Sequence, residues 1–257
     1  MSAASQRLRA LVPKRLKRRI QVFVRLSAQR FCDRRHGLAA RYLNGSGLEV
    51  GALHNPQDVP EGTRVRYVDR LSVADLRVQY PELDGEALVD PDVIDDGETL
   101  GTVLDDSQDF VIANHFIEHC VNPIQTIENH LRVLKPGGVL FMAVPDQRDT
   151  FDHDRAVTEI EHLVDDYVRG GNVSRHQHFE EWVAAIDGLS GSAAETRVKE
   201  LEEMDFSIHF HVWTPWEFVE LLAYCKRQLE FPIALEVVEK NHHEFIVIMR
   251  KEQATAS

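Results

Sequence analysis

Cysteine is scarce in this sequence, and the few cysteines lie far apart. The 257 residues contain only Cys32, Cys120 and Cys225. An odd number at such wide spacing provides neither a disulfide framework nor a cysteine-based zinc cluster. We therefore expect a protein of a reducing compartment, and its length suits one domain with elaborations.

Long apolar runs are also missing. The most apolar stretch near the N-terminus, residues 20–26, is short and includes Arg25. It is too short for a membrane-spanning helix, and it does not match the core of a signal peptide. These absences predict a cytoplasmic location.

Basic residues are few outside the N-terminal region. Residues 1–42 contain twelve Lys or Arg and one Asp, whereas the rest of the chain contains 17 basic and 41 acidic side chains. A body this acidic repels polyphosphate, so nucleic acid is not an expected partner. Residues 1–45 have apolar positions at helical spacing. They predict a basic helical segment that either contacts anionic membrane lipid at the inner face or packs on the domain.

The most informative stretch is residues 109–145, where two apolar runs flank a segment of helical period. Such a strand, helix and strand build a parallel sheet. Asn122 is a suitable helix cap, and Pro123 suits the first helical position because its missing N–H costs nothing there. Residues 135–138, Lys-Pro-Gly-Gly, end the helix, and a glycine there can adopt positive φ.

Further elements flank this unit. Residues 48–52 predict the first strand and its exit turn, residues 64–69 predict the second strand, and residues 87–96 predict the third strand and the loop after it. Residues 234–238 and 245–249 predict a terminal hairpin. Residues 214–217, Thr-Pro-Trp-Glu, form the capping box of another helix. The alternation of strands and helices predicts an α/β class of fold.

Two of these motifs carry a family resemblance. Residues 132–138, Arg-Val-Leu-Lys-Pro-Gly-Gly, resemble the signature before the fifth strand of class I S-adenosylmethionine-dependent methyltransferases. Residues 115–119, His-Phe-Ile-Glu-His, match that family after the fourth strand. The resemblance implies a Rossmann-like domain over residues 46–252, with a mostly parallel seven-stranded sheet and an antiparallel C-terminal hairpin. It also implies S-adenosyl-L-methionine as the cofactor.

By this resemblance, the turn after the first strand, with Glu49 and Gly51, approaches the cofactor. The family turn has three glycines, and here only Gly51 remains. Asp69 ends the second strand at the spacing from Gly51 expected of a carboxylate that binds two ribose hydroxyls. Asp69 could instead cap the next helix, but Ser72 is the better cap because Asp75 follows it by three residues.

The resemblance assigns Asp92 and Val93 to the adenine, through a carboxylate facing the amino group and an apolar contact with the ring. The alternative is an acidic surface loop, since acidic turns are common. Asn114 and His115 end the fourth strand, where parallel α/β sheets place their ligands. Asn114 is therefore predicted to bind the cofactor, and His115 is the first candidate for a general base.

Residues 115–119 also spell the inverted zinc-peptidase pattern. That pattern needs both histidines on one face of a continuing helix. Here it straddles a strand end, and the predicted helix begins only near Pro123. We therefore expect no metal at this motif.

An insert rich in histidine and acidic residues separates the fifth and sixth strands. Residues 146–213 exceed what a minimal connection needs, and we expect a substrate lid. Its candidates for acid–base catalysis are His153, His209 and His211. Each could instead fix a loop, and His209 with His211 could alternatively hold a metal.

The predicted reaction is methyl transfer to an acceptor oxygen. Residues 151–155 and 207–213 resemble bacterial methyltransferases that are encoded with, or fused to, glycosyltransferases of surface polysaccharide assembly. This resemblance implies a sugar hydroxyl, on a glycan or small molecule, as acceptor.

Three other functions stay open. Amine N-methylation is suggested by the position of Asn114, although the Pro-Pro-aromatic continuation of amine-directed relatives is absent. RNA methylation would use the basic N-terminal segment as its nucleic-acid contact. A non-catalytic scaffold would retain the fold after losing the glycine turn. The tail, residues 253–257, is expected to be disordered.

Overall fold

The computed structural model of the chain describes residues 32–253. Most of the basic N-terminal segment and most of the C-terminal tail therefore lie outside the described residues. Within residues 32–253, none of the helices has the length and hydropathy needed to span a bilayer.

The centre of the fold is a seven-stranded sheet with the strand order β3-β2-β1-β4-β5-β7-β6. Neighbouring strands from β3 to β5 run parallel, whereas β7 runs antiparallel to both β5 and β6. This arrangement confirms the predicted fold class. The strands are β1 (Ser46–Val50), β2 (Arg64–Asp69), β3 (Val93–Ile94), β4 (Gln108–Asn114), β5 (Leu134–Pro145), β6 (Ile233–Asn241) and β7 (Glu244–Lys251).

The helices lie on both faces of the sheet and in the insert. They are α1 (Cys32–Tyr42), α2 (Val73–Gln79), α3 (Pro123–Val133), α4 (Ile160–Arg169), α5 (Arg175–Trp182), α6 (Ser192–Glu203) and α7 (Pro215–Arg227). The third strand is short, because only Val93 and Ile94 of the stretch 87–96 pair with β2.

Helices α3 and α7 begin where their capping residues predict. Asn122 accepts a hydrogen bond from the N–H of Gln125, and Pro123 occupies the first position of α3. Thr214 and Glu217 form the reciprocal capping box of α7. Each cap satisfies N–H groups that have no partner within the helix, which stabilises the helix end by about 1 kcal/mol.

The sheet separates two apolar clusters. One face packs against α3 and α7, and the other packs against α1. Ala39, Tyr42 and Leu43 are buried there against Phe110 and Phe141. The part of the N-terminal segment that the structure describes therefore packs on the domain.

The insert after β5 contains its own apolar cluster. Helices α4, α5 and α6 follow one another, and residues of α5, α6 and the segment 206–210 pack together. The buried members are Phe179, Trp182, Val183, Val198, Leu201, Phe206, Ile208 and Phe210. The pattern of residues 159–168, which ends at Gly170 and Gly171, indicates α4, whereas no comparable pattern indicates α5 and α6.

Gly47 allows β1 and β4 to approach each other closely. A Cβ atom at this position would lie 2.3 Å from the carbonyl oxygen of Phe110 and 2.4 Å from its ring. We expect Gly47→Ala to lower the free energy of unfolding by about 1–3 kcal/mol or more, because the buried Phe110 cannot move aside freely. Urea unfolding measures this loss.

Gly37→Ala is the matched control for this prediction. A Cβ at Gly37 would meet nothing within 4 Å, and the residue lies in the middle of α1. This substitution should raise the free energy of unfolding by roughly 0.5–1 kcal/mol. Equal effects of the two substitutions would contradict the proposed close contact.

Candidate functional site

A cavity of about 780 Å³ lies at the carboxyl ends of β1, β2 and β4. The loop after β3 forms part of its wall, and residues of the insert close the opposite side. This is the edge at which parallel α/β sheets bind their ligands. Four of the six predicted cofactor residues line it: Glu49, Gly51, Asp69 and Asn114.

The turn after β1 achieves its shape with a single glycine. Gly51 has a φ of 64°, and its N–H donates to the carbonyl of Val68 at 3.0 Å. Leu53 follows with a φ of 49°, a left-handed conformation that costs a non-glycine residue about 1 kcal/mol. The Leu53 carbonyl accepts the N–H of Val89 at 2.7 Å, which holds this conformation. The missing glycines therefore do not prevent the turn.

Glu49 supports this turn from within the sheet. Its carboxylate accepts the N–H of Gln57 at 2.8 and 3.1 Å. Burial raises the pKa of Glu49 to about 7, although the Gln57 N–H and the charge of Arg35 work in the opposite direction. The Gln57 side chain accepts a hydrogen bond from the Asn114 amide at 3.2 Å, so these side chains form one network beneath the cavity.

Asp69 lies at the end of β2 and faces the cavity. One of its oxygens accepts the N–H of Leu71 at 3.2 Å. Burial raises the pKa of Asp69, an effect that is partly offset by hydrogen bonds from the backbone of Leu71 and Arg70. Ser72 caps α2, as the sequence indicated, which leaves Asp69 directed at the cavity.

Asp92 and Val93 do not line the cavity, contrary to expectation. The Asp92 carboxylate accepts the N–H of Tyr67 at 2.9 Å and so extends the pairing at the edge of β2. Val93 packs against the apolar cluster below the sheet. Residues 96–99 line the cavity instead. Asp96 and Glu98 are the acidic residues of this stretch, and the Glu98 carboxylate already accepts the N–H groups of Val121 and Asn122.

His115 lies at the cavity but is held by a buried carboxylate. Its φ is 49°, and its Nε2 lies 2.7 Å from an oxygen of Glu244. Glu244 also accepts hydrogen bonds from Arg35 and Asn241. The other ring nitrogen of His115, Nδ1, lies 3.6 Å from an oxygen of Glu118, so both ring nitrogens face carboxylates, which suits a positioning role.

His209 is the histidine of the insert that reaches the cavity. Its Nδ1 donates to the Asp152 carboxylate at 2.6 Å, and Arg155 donates to the other oxygen of Asp152 at 2.9 Å. Burial alone would lower the pKa of His209, but the adjacent Asp152 carboxylate outweighs burial and raises it. A carboxylate on one ring nitrogen fixes the tautomer and leaves the other nitrogen for proton transfer.

Glu118 and His119 lie beside His209. The His119 Nδ1 donates to the carbonyl of Ile208 at 2.9 Å, and burial lowers the pKa of His119 to about 3. Among residues 32–253, neither oxygen of Glu118 has a hydrogen-bond partner, and burial raises its pKa. Ligand atoms of Glu118, His119 and His209 lie within 4.8 Å of one another, so these side chains could also hold a cation.

The other two predicted catalytic histidines lie elsewhere. His153 is exposed, and its Nδ1 donates to the carbonyl of Thr150 at 3.0 Å. His211 is fully buried beside three other polar residues of the insert and does not line the cavity. Neither residue is placed to exchange a proton with a molecule in the cavity.

Sequence reasoning gave no role to Glu118, His119 and Asp152. Glu118 and His119 belong to the quoted motif after β4, which carries the signal for a site at the strand end. Asp152 was one of many acidic residues in the insert. Its pairing with His209 joins positions 57 residues apart, which no local pattern reveals.

This sheet order, with a ligand-sized cavity at the carboxyl ends of the first strands, defines a nucleotide-binding α/β fold. The sequence profile of the family described as "Methyltransferase domain" matches residues 30–187, which is more than half of the chain. The chain therefore belongs to this methyltransferase domain family. No curated protein matches it.

Solved structures of low sequence identity are similar to this chain, and one of them has a TM-score above 0.5. A Thermotoga maritima S-adenosylmethionine-dependent methyltransferase, described as a possible histamine N-methyltransferase, matches with a TM-score of 0.51 and 12% identity over 92% of this chain and 98% of its own. A methyltransferase from Aquifex aeolicus matches with a TM-score of 0.45 and 13% identity over 98% of this chain and 100% of its own. The PH0226 protein of Pyrococcus horikoshii gives 0.48 and 18%, over 86% and 89%.

The family match and the fold agree with the sequence prediction. The protein is an S-adenosylmethionine-dependent methyltransferase, and S-adenosylmethionine is its methyl donor. A methyltransferase requires an acceptor, so the cavity must admit a second molecule.

Proposed function

We propose that this methyltransferase methylates a hydroxyl oxygen of a sugar or a related small acceptor. The observation that carries the proposal is the buried pair of His209 and Asp152, because His209 lines the same cavity as Gly51 and Asp69. A hydroxyl group must lose its proton during methyl transfer, and an oriented imidazole is suited to accept it.

The residues present fit S-adenosylmethionine. Gly51 lines the cavity with a positive φ that favours glycine, and the buried Oδ1 of Asn114 lacks a hydrogen-bond partner among residues 32–253. Asn114 can accept from a ligand donor, and Asp69 can accept from ribose hydroxyls. Asp96 replaces Asp92 as the proposed adenine contact. The bound cofactor supplies an electrophilic methyl group on a cationic sulfur.

His209 is the proposed general base, in place of His115. The Asp152 carboxylate holds the Nδ1 proton of His209, so Nε2 carries the lone pair that accepts the hydroxyl proton. His115 orients the strand end, since its Nε2 is bonded to Glu244. Alignment of the hydroxyl in the cavity contributes several kcal/mol beyond this proton transfer.

The wall of the acceptor side suits a sugar. Phe151, Trp182 and Phe206 provide apolar ring surfaces, and Arg175 and Asp205 provide hydrogen-bonding groups. Sites for small polar ligands combine these two kinds of lining. An acceptor from cell-surface polysaccharide assembly agrees with the sequence resemblance, and peripheral contact of residues 1–31 with anionic lipid would place the enzyme near lipid-linked acceptors.

Calorimetric titration tests the cofactor half of the site. We expect micromolar binding of S-adenosylmethionine and S-adenosylhomocysteine, and we expect Asp69→Ala to weaken it by about 10- to 100-fold. The physical reason is the loss of two hydrogen bonds to a carboxylate, each of which contributes about 1.5 kcal/mol or less after solvent competition.

Asp92→Ala is the matched control, because Asp92 is an acidic residue of the same region outside the cavity. Its affinity for both ligands should equal that of the unchanged protein. If Asp69→Ala bound both ligands as tightly as the unchanged protein does, Asp69 would not be the residue that binds the ribose. Absence of binding to the folded, unchanged protein would contradict the proposed cofactor pocket.

A further inference from the structure

Four metal-ligand side chains meet in the insert, behind the wall of the cavity. His162 and Asp166 are one helical turn apart on α4, His178 is on α5, and His211 lies in the extended segment before α7. One ligand atom from each lies within 4.8 Å of the others. Three separate segments of chain thus bring three imidazoles and one carboxylate to a single point.

Three distances within the cluster are close to those between the ligands of a tetrahedral ion. The His162 Nε2 lies 3.0 Å from the His178 Nε2 and 3.2 Å from Asp166 Oδ2. The His211 Nε2 lies 3.7 Å from the same Asp166 oxygen. Zinc bonds of 2.0–2.2 Å place tetrahedral nitrogen and oxygen ligands roughly 3.3–3.5 Å apart. The observed separations lie around that value.

In the described part of the chain, hydrogen bonds leave several buried polar atoms of this cluster without a partner. Among residues 32–253, Asp166 Oδ2, His178 Nδ1 and both ring nitrogens of His211 lack a partner of hydrogen-bond geometry. Asp166, His178 and His211 are 2%, 4% and 0% exposed, so bulk solvent does not reach these groups. Polar groups buried in this way are costly unless something binds them.

Outer contacts hold the carboxylate in place. The other oxygen of Asp166 accepts a hydrogen bond from Ser174, and the Asp166 carbonyl accepts one from the Asn122 side chain at 3.0 Å. Such secondary contacts orient metal ligands and are typical of built metal sites. They also connect the cluster to the beginning of α3.

We propose that His162, Asp166, His178 and His211 bind one divalent transition-metal ion, with zinc as the expected occupant. Three nitrogens and one carboxylate oxygen are a zinc-type ligand set, whereas magnesium and calcium prefer oxygen ligands alone. Four protein ligands complete a tetrahedron, which makes the ion structural. The cluster lies outside the cavity lining, so the ion takes no part in methyl transfer.

The position of the ion implies that it links segments of the insert to one another. It joins α4 and α5 to the segment that carries His209, two residues before His211. The N–H of Phe210 donates to the Glu118 carbonyl at 2.8 Å, so this segment is also tied to the turn after β4. The ion therefore fixes the acceptor side of the cavity against the sheet, whatever acceptor the enzyme uses.

The test uses the full chain without a histidine tag. The protein is stripped with chelator, titrated with zinc chloride by calorimetry, and measured for bound metal by mass spectrometry. We expect one zinc ion per chain, a higher unfolding temperature with zinc, and visible absorption bands of tetrahedral cobalt after titration with cobalt chloride.

Variants locate the ion. His162→Gln, at a partly exposed position, should weaken zinc binding at least about tenfold and abolish the zinc-dependent rise in unfolding temperature. Asp166→Asn should weaken it similarly. His176→Gln, on α5 but outside the cluster, should bind zinc as the unchanged protein does. Circular dichroism checks that each variant is folded.

Two outcomes would overturn the proposal. One is a folded, stripped protein that binds neither zinc nor cobalt. The other is an ion retained by His162→Gln but lost in His119→Gln, which would place it at Glu118, His119 and His209 instead. The zinc measurements require neither S-adenosylmethionine nor an acceptor. Their result therefore does not depend on the proposed function.

Discussion

Replacement of Glu244 by alanine is expected to lower the free energy of unfolding by about 3–5 kcal/mol. Glu244 is fully buried in β7 and accepts hydrogen bonds from three side chains. The Arg35 Nε lies 2.7 Å from one of its oxygens, and His115 and Asn241 donate at the same distance. The substitution removes the carboxylate that neutralises a buried guanidinium, and a charge left in that state is costly.

Two variants separate this effect from a general effect of charge. Glu239→Ala removes a carboxylate that pairs with Arg34 on the surface, and it should change stability by less than about 1 kcal/mol. Glu244→Gln keeps the shape and should cost less than Glu244→Ala. Urea unfolding monitored by tryptophan fluorescence gives all three values. Similar losses at positions 239 and 244 would contradict the buried network.

The same network predicts a loss of stability in acid. Burial would raise the pKa of Glu244, but the hydrogen bonds and charges of Arg35 and His115 outweigh it and lower the pKa to about 2. A carboxyl group whose pKa is lower in the folded state stabilises the fold above its unfolded pKa of 4.5. That contribution, about 3 kcal/mol, is lost as the pH falls from about 5 towards 2. Glu244→Gln should flatten this part of the profile.

Substitution of His209 by glutamine should reduce kcat by roughly 10²- to 10⁴-fold while the affinity for S-adenosylmethionine stays within a few-fold. The substitution removes the proposed proton acceptor and leaves Gly51 and Asp69 unchanged. Transfer of a radiolabelled methyl group to a panel of sugars and amines first identifies an acceptor. Kinetics with that acceptor then measure kcat, and calorimetry measures cofactor binding.

His153→Gln is the control for this prediction, because His153 is an exposed histidine of the same insert. It should leave kcat unchanged. Asp152→Asn should lower kcat, since an amide no longer fixes the His209 tautomer. A His209 variant with normal kcat would exclude His209 as the base. Turnover with amines and none with hydroxyl acceptors would favour N-methylation.

The sequence predicts the central part of the fold because the local signals there are strong. Asn122 with Pro123, and Thr214 with Glu217, are caps whose geometry depends only on neighbouring residues. The short β3 and the helices α5 and α6 were harder to predict. The β3 strand has two residues, and α5 carries three charged residues and two histidines, so its apolar face is weak.

The candidate site also has a part that the sequence predicts and a part that it does not. Gly51, Asp69 and Asn114 lie together because the ends of parallel strands meet at one edge, which the order of strands already implies. The histidines of the insert follow no such rule. His209 and His211 are two residues apart, yet one lines the cavity and the other enters the four-residue cluster. The packing of distant segments alone determines which histidine lines the cavity and which joins the cluster.

The separate apolar cluster of the insert has a consequence for how this enzyme could change over evolutionary time. The proposed cofactor side of the cavity is lined by the ends of the strands, whereas the proposed acceptor side is lined by side chains that pack in or beside that separate cluster. Mutations in the insert can therefore alter the range of acceptors without weakening the core that binds the methyl donor. The same division makes the insert a natural unit for exchange between relatives when acceptor preference is to be engineered.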